Sequence, residues 1–230
     1  MPKKGVVLSL GAVGEADDFR AYAPAVIYKD GFFYLFYCGY GGANYRICLA
    51  LSKDGVNFIK KGVVLSLGAA GEADDVYAYF PAVIYKDGFF YLFYCGHDGA
   101  NSRICLALSK DGVNFIKKGV VLSLGAAGEA DDVNTYIPAV IYKDGFFYLF
   151  YSGYDGANYR ICLALSKDGV NFIKKGVVLP LGAAGEADDA HIMSPAVIYK
   201  DNFFYLFYSG HDGTHYRICL ALSKDGVDFV

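Results

Sequence analysis

Hydrophobic positions in this chain come in two near-continuous runs, AVIY and FFYLFY, separated by the polar stretch Lys-Asp-Gly. The block that holds them, Pro24 to Tyr37, returns unchanged at 81–94 and 138–151, and at 195–208 with Asn202 in place of Gly. An Asp-Gly pair between two apolar runs predicts a tight hairpin, because the favoured two-residue turn needs positive φ at its central positions. Runs that are apolar at every position, not every second one, predict strands covered on both faces. Further along each copy, RICLALS predicts a third strand and VNFIKKG a fourth, whose paired lysines suit an outer edge that resists pairing with another molecule. No stretch carries a helical period.

The prolines at 24, 81, 138 and 195 set a period of 57 residues, which divides the chain into repeats 3–59, 60–116, 117–173 and 174–230 of a single domain, 1–230. Four antiparallel strands repeated at this length predict an all-β fold, a four-bladed β-propeller of four-stranded antiparallel blades. The chain begins KKGVVLSL and stops at VDFV, pieces that adjoin inside the array as NFIKKGVVL. The ring is therefore expected to close by pairing of the N- and C-terminal segments. A monomer is the expected state, with exchange of blades between chains as the alternative.

Charge and cysteine narrow the partners. The formal net charge is −3 and the lysines and arginines are spread evenly through the repeats, so no basic stripe is available for nucleic acid. No apolar run approaches the roughly 18 residues that span a bilayer, so no membrane partner is expected. The start MPKKGVVLSL makes a poor secretory signal, and the expected location is cytoplasmic unless a natural leader is missing. The six cysteines fall at two repeated strand positions and read as reduced packing residues.

The string PAVIYKDGFFYLFYSG, followed by RICLALSKDGVNF, resembles the blade motif of the five-bladed glycosidase superfamily that includes arabinanases, β-xylosidases and β-fructosidases. The resemblance implies the propeller fold and catalytic acids at the start of strand A, commonly an Asp immediately before the Pro. This chain has four repeats, and in that place it carries Ala23, Phe80, Ile137 and Ser194.

Comparing the copies with one another locates the variation. The five residues before each Pro read FRAYA, VYAYF, VNTYI and AHIMS, and a second cluster of changes lies in the loop between the second and third strands. In an up-and-down blade these segments emerge on one face, where ligands of this fold sit. The candidate ligand-binding residues are Phe19, Arg20, Tyr22, Tyr77, Tyr79, Phe80, Asn134, Tyr136, His191 and Met193 in the first cluster, and Tyr40, His97, Tyr154, His211 and His215 in the second. Tyrosines offer an apolar ring and a hydroxyl, as a sugar site of mixed polarity requires. The linker carboxylates lie in near-identical surroundings, whereas glycoside hydrolysis needs two carboxyls held in unlike states. They are expected to bond backbone amides, and Arg46 and its copies to pair with a linker acid. No cofactor is expected; an axial cation held by Asp18, Asp75, Asp132 and Asp189 is the alternative. These features predict a non-catalytic or weakly catalytic propeller that binds a glycan. A glycoside hydrolase acting on arabinosides, xylosides or fructosides is the second reading, and an amplified or designed repeat scaffold without a ligand is the third.

Overall fold

The computed structural model describes residues 4–230. Its strands are β1 (Arg20–Lys29), β2 (Phe32–Tyr40), β3 (Tyr45–Ser52), β4 (Ile59–Leu65), β5 (Tyr77–Lys86), β6 (Phe89–His97), β7 (Ser102–Ser109), β8 (Ile116–Leu122), β9 (Asn134–Lys143), β10 (Phe146–Tyr154), β11 (Tyr159–Ser166), β12 (Ile173–Leu179), β13 (His191–Lys200), β14 (Phe203–His211) and β15 (Tyr216–Ser223). They form four antiparallel sheets in the orders β1-β2-β3-β4, β5-β6-β7-β8, β9-β10-β11-β12 and β13-β14-β15. These are the four blades of an all-β, four-bladed β-propeller fold. Among the described residues no helix is long and apolar enough to cross a membrane. The chain divides into two compact units, one holding Cys105–Gly119 and the chain up to Ala100, the other Asn101–Ile104 and Val120–Val230.

The hairpin turns follow from their residues. Asp30 and Gly31 have φ of 49° and 81°, and Lys29 pairs with Phe32 across them. In the fourth copy Asp201 and Asn202 take the same conformation at 50° and 64°; Asn is the side chain that best tolerates the loss of Gly there. The next turn is tied by side chains: Asp54 Oδ1 accepts the N–H groups of Val56 and Asn57, and Ser52 Oγ accepts that of Gly55.

Strand boundaries differ from the sequence reading at both ends of the linker. The first strand begins at Arg20 and not at Pro24, so most of the variable residues are in the sheet. Arg20, Ala21 and Tyr22 pair with Tyr40, Gly39 and Cys38, and the ladder then slips before Ala25 meets Phe36. The slip is a bulge: Pro24 has no N–H to give, and Ala23 is left-handed at φ 50°. Phe80, Ile137 and Ser194 repeat that conformation at 50°, 46° and 58°. At the other end the outer strand runs on through Val63 to Leu65, residues the sequence assigned to the linker.

Burial on both faces, which the unbroken apolar runs predict, is most complete in the second and third sheets, whereas Val26 and Tyr28 of the first sheet and Phe207, Ile218 and Leu220 of the last are exposed. In the first unit Phe36, Ile47 and Leu49 of the first sheet pack with Leu92, Tyr94 and Ala107 of the second, all at 0 % exposure. In the second unit Phe150, Ile161 and Leu163 pack with Leu206, Tyr208 and Ala221 in the same way. The opposite face of the first sheet holds Tyr37, Cys48 and Ala50 under Leu8, Ala16 and Phe58.

Of the expected terminal pairing, the C-terminal part is present. Val230 exchanges two backbone hydrogen bonds with Leu222, at 2.8 and 3.0 Å, the place that Ile59 takes opposite Leu51. The N-terminal part is not: residues 4–8 lie outside any strand, and residues 1–3 lie outside the described residues. Leu8 instead joins the apolar cluster of the first sheet, where burial beside Tyr37 competes with pairing.

Candidate functional site

The linker carboxylates are consumed by structure. Glu15 Oε2 accepts the N–H of Ala12 at 2.8 Å, and Asp18 Oδ2 accepts that of Gly14 at 2.7 Å. The same two bonds recur at Glu72 and Asp75, Glu129 and Asp132, and Glu186 and Asp189. Asp17 is buried; it accepts the hydroxyl of Tyr37 at 2.8 Å, and the Lys60 ammonium lies 2.6 Å away. Asp74 with Tyr94 and Lys117, and Asp131 with Tyr151 and Lys174, repeat the arrangement. Each linker is thus pinned to its sheet through a carboxylate. Gly39 completes the fit, since a Cβ there would lie 2.8 Å from both the Ala16 carbonyl oxygen and Cys48 Sγ. No group of three or more metal-ligating side chains occurs among the described residues, and Asp18, Asp75, Asp132 and Asp189 each serve a glycine amide of their own linker.

The two variable clusters prove to be partners in one register. Residues 20, 77, 134 and 191 open the first strand of each blade and pair with residues 40, 97, 154 and 211, which end the second strand. The latter pair in turn with residues that open the third strand, Tyr45, Tyr159 and Tyr216 in the first, third and fourth blades. The first, third and fourth blades therefore each end in a row of three rim side chains. Arg20 lies over Tyr40, 5.5 Å from the ring centre, and its Nη1 donates to the Tyr45 hydroxyl at 3.1 Å. Tyr77 stacks on His97 at 5.5 Å, and His191 stacks on His211 at the same spacing.

Neighbouring rows touch within each unit. Tyr45 meets Tyr77 edge-on at 5.2 Å and lies parallel to Tyr79 at 5.9 Å, while Tyr22 meets both Tyr45 and Phe80. Phe19 is largely exposed and packs edge-on against Tyr40. In the second unit Tyr154 stacks on Tyr159, which meets His191, and His211 packs on Tyr216. The N–H of Ser102 donates to Asn134 Oδ1 at 2.6 Å. Met193 pairs with Ser209 and Tyr136 with Ser152, one step further down the same strands. His215 turns its Nδ1 to Thr214 Oγ1 in the loop at 2.8 Å and is exposed.

Not every variable column faces this rim. Residues 78, 135 and 192 alternate with the rim positions and are fully buried; Thr135 accepts the N–H of Ile104. Their variation concerns packing between blades, which strand alternation reveals once the first strand is extended to residue 20. Tyr45 is one of the loop aromatics that the sequence marks for stacking on a sugar, whereas Tyr159 and Tyr216, which open the equivalent strands, vary in the same loop without being singled out as ligands.

Charge on this face is unevenly paired. Arg160 and Arg217 form ion pairs with Asp155 and Asp212 of their own loops, not with linker acids as expected, because those acids are already held. For Asp155 burial acts upward, but the Asn158 and Ala157 amides and Arg160 outweigh it and hold its pKa at about 2. Asp212 is held well below the ordinary range by Thr214, Arg217 and the His215 and Thr214 amides. The first copy has Gly41 where these aspartates stand, and half-buried Arg46 has no carboxylate partner among the described residues. His191 is shifted below its usual value by burial and then by His211, which favours neutral imidazole.

Several solved structures share the fold. A family 117 glycoside hydrolase from Zobellia galactanivorans is 18 % identical with a TM-score of 0.77, over 98 % of this chain and 72 % of that one. An alpha-L-arabinanase mutant from Cellvibrio cellulosa is 20 % identical with a TM-score of 0.69, over 91 % and 72 %. A structure from the family 130 mannoside phosphorylases, described as containing hydrolases that target β-1,2 mannosidic linkages, has a TM-score of 0.75 at 18 % identity, over 91 % and 69 %. Among curated proteins, a 1,2-beta-oligomannan phosphorylase from Thermoanaerobacter sp. strain X514 is 28 % identical over 229 residues, 94 % of this chain and 73 % of that protein.

The model of glycoside hydrolase family 130, described as beta-1,4-mannooligosaccharide phosphorylase, matches residues 72–230. That match overturns the expectation of a non-catalytic binder and of a scaffold without a ligand. The missing Asp before each Pro argued against catalysis only on the assumption that this is where an acid must stand, and the left-handed bulge there has a structural role of its own. On the span of this match, the chain belongs to glycoside hydrolase family 130.

Proposed function

We propose that this protein is a glycoside-processing enzyme that cleaves β-mannosidic linkages with inorganic phosphate as the acceptor. The bond from the sugar C1 to the bridging oxygen breaks, a phosphate oxygen bonds to C1, and a proton passes to the departing sugar hydroxyl. The family match carries this reading, and the curated phosphorylase relative supports it. The stacked tyrosines of the rim suit the apolar face of a sugar ring. Arg46, without a carboxylate to neutralise it, suits a phosphate oxygen. Asp155 and Asp212, held ionised, are poor proton donors at neutral pH, whereas His97 and His211 are of the type that passes a proton.

The family description and the curated relative differ in linkage, so a substrate panel tests the proposal. Mannooligosaccharides joined β-1,2 and β-1,4, with arabinosides, xylosides and fructosides alongside, are incubated with phosphate and the products separated. Consumption of one or both mannosides alone is expected. Cleavage confined to arabinosides, xylosides or fructosides refutes the mannoside assignment.

A further inference from the structure

The third and fourth blades are joined at the rim by two polar contacts, and one of them ends on an imidazole. Asn158 donates its side-chain amide to the Ala190 carbonyl at 3.0 Å, and the next residue, Tyr159, donates its backbone N–H to Nδ1 of His191 at 3.4 Å. The preceding joint is built the same way: Asn101 donates to the Val133 carbonyl at 3.1 Å, and the Ser102 N–H to Asn134 Oδ1 at 2.6 Å. The residue that opens the first strand of a blade, 134 or 191, thus accepts the amide that opens the third strand of the blade before it. An asparagine oxygen accepts at any pH. An imidazole nitrogen accepts only while it carries no proton, so neutral His191 must keep its proton on Nε2.

The surroundings favour that neutral ring. His191 is half-buried, and the imidazole of His211 on β14 stacks on it at 5.5 Å, so two protonated rings would repel at close range. Asp155, in the loop before β11, acts the other way, but its carboxylate is already engaged by Arg160 and by the Ala157 and Asn158 amides. Asp212, next after His211, pairs with Arg217. Burial first and His211 second therefore hold the His191 pKa below its usual value. For a group whose pKa is lower in the folded state, the stabilisation is complete above the unfolded value, about 6.5 for histidine, and is lost as pH falls through the folded one.

We infer that His191 is a positioning residue: as an unprotonated acceptor it clamps the start of β11, and so the Tyr159 ring, in the arrangement that binds sugar, and it releases both when protonated. Tyr159 lies edge-on to His191 at 5.8 Å and stacks on Tyr154 at 4.4 Å, so loss of the clamp reaches two of the rings offered to a sugar face. The inference rests on the reading of the rim as the glycoside site.

Nitrogen-15 NMR of the wild-type chain tests the clamp without any substrate, with His191→Asn used to assign the ring signals. At neutral pH the His191 proton is expected on Nε2; as pH falls, the Tyr159 amide resonance is expected to shift with the same midpoint as the His191 ring. The KM for a β-mannooligosaccharide reads the consequence. In His191→Asn the side-chain oxygen accepts the amide at every pH, as that of Asn134 does. Relative to this variant the wild type is expected to show a similar KM at neutral pH and one about three- to tenfold higher in acid, while kcat changes little. His191→Phe, a ring with no acceptor, is expected to have a raised KM throughout. A proton on Nδ1 at neutral pH, a Tyr159 amide that ignores the titration of the ring, or a ratio of wild-type to His191→Asn KM that does not change with pH overturns the inference. Absence of mannoside turnover refutes the enzymatic reading instead, and the NMR titration then still decides the clamp.

Discussion

The backbone N–H of Phe80 is hydrogen bonded to Sγ of Cys38, 2.9 Å away and 42 residues earlier. The bond spans the step from one blade to the next, and it holds a non-glycine residue in a left-handed conformation that costs about 1–2 kcal/mol. Ser152 does the same for Ser194, which explains why this position is Cys in two copies and Ser in the other two. Cys38→Ala, which leaves a part-buried amide without an acceptor, is expected to destabilise the protein by about 1–3 kcal/mol. Cys38→Ser is expected to be near neutral. Chemical denaturation of the two variants checks both.

Thiol chemistry follows from the same packing. Burial pushes the Cys38, Cys105 and Cys162 thiols up to about 12 and that of Cys48 to about 11, and none of the six is joined in a disulfide. Since the thiolate is the reactive form, a thiol reagent at neutral pH is expected to label Cys219, the half-buried one, and to reach the others only on unfolding. Mass spectrometry of the native protein after labelling reads this directly.

The buried carboxylates that pin the linkers are expected to matter more than any surface charge. Asp74→Asn keeps the Tyr94 hydrogen bond but strands the Lys117 ammonium, 2.6 Å away in the wild type. Breaking a buried pair costs about 3–5 kcal/mol; the Lys117 side chain is 25 % exposed but its Nζ is itself buried, so water does not relieve the stranded charge and the loss should fall within that range. Removing both charges, in Asp74→Asn with Lys117→Met, should recover much of it. Unfolding midpoints of the single and double variants decide.

Acid unfolding has a predicted shape. Asp54, Asp111 and Asp168 are held below the ordinary carboxylate range, first by the amide of the Asn three residues on, and Asp155 is held at about 2. For a group whose pKa is lower in the folded state, the stabilisation is complete above the unfolded value, about 3.9, and is lost as pH falls through the folded one. Stability is therefore expected to decline below pH of about 4 and to go on declining toward pH 2. Asp111→Asn should flatten part of that slope, as measured by denaturation at stepped pH.

Much of the fold was legible because its determinants are local and recur. Asp30-Gly31 dictates its turn wherever it stands, and the unbroken apolar runs report two covered faces. The bulge was not legible. Ala23, Phe80, Ile137 and Ser194 all adopt positive φ, Phe80 and Ser194 with an acceptor one blade earlier, and no local signal in these four dissimilar residues reports it. Reading that position as the seat of a missing acid turned a structural feature into an argument against catalysis. The rim was half legible: variation marked Arg20 and Tyr40, or His191 and His211, as separate clusters, and only the slip at the bulge shows that they stand side by side.

The central claim is phosphorolysis at a mannoside, and 31P nuclear magnetic resonance of the reaction mixture tests it most directly. With β-mannooligosaccharide and inorganic phosphate, the spectrum should lose the inorganic phosphate signal and gain that of a mannose 1-phosphate, more slowly for Arg46→Ala at limiting phosphate. Free mannose formed at a rate independent of phosphate, with the phosphorus spectrum unchanged, contradicts it.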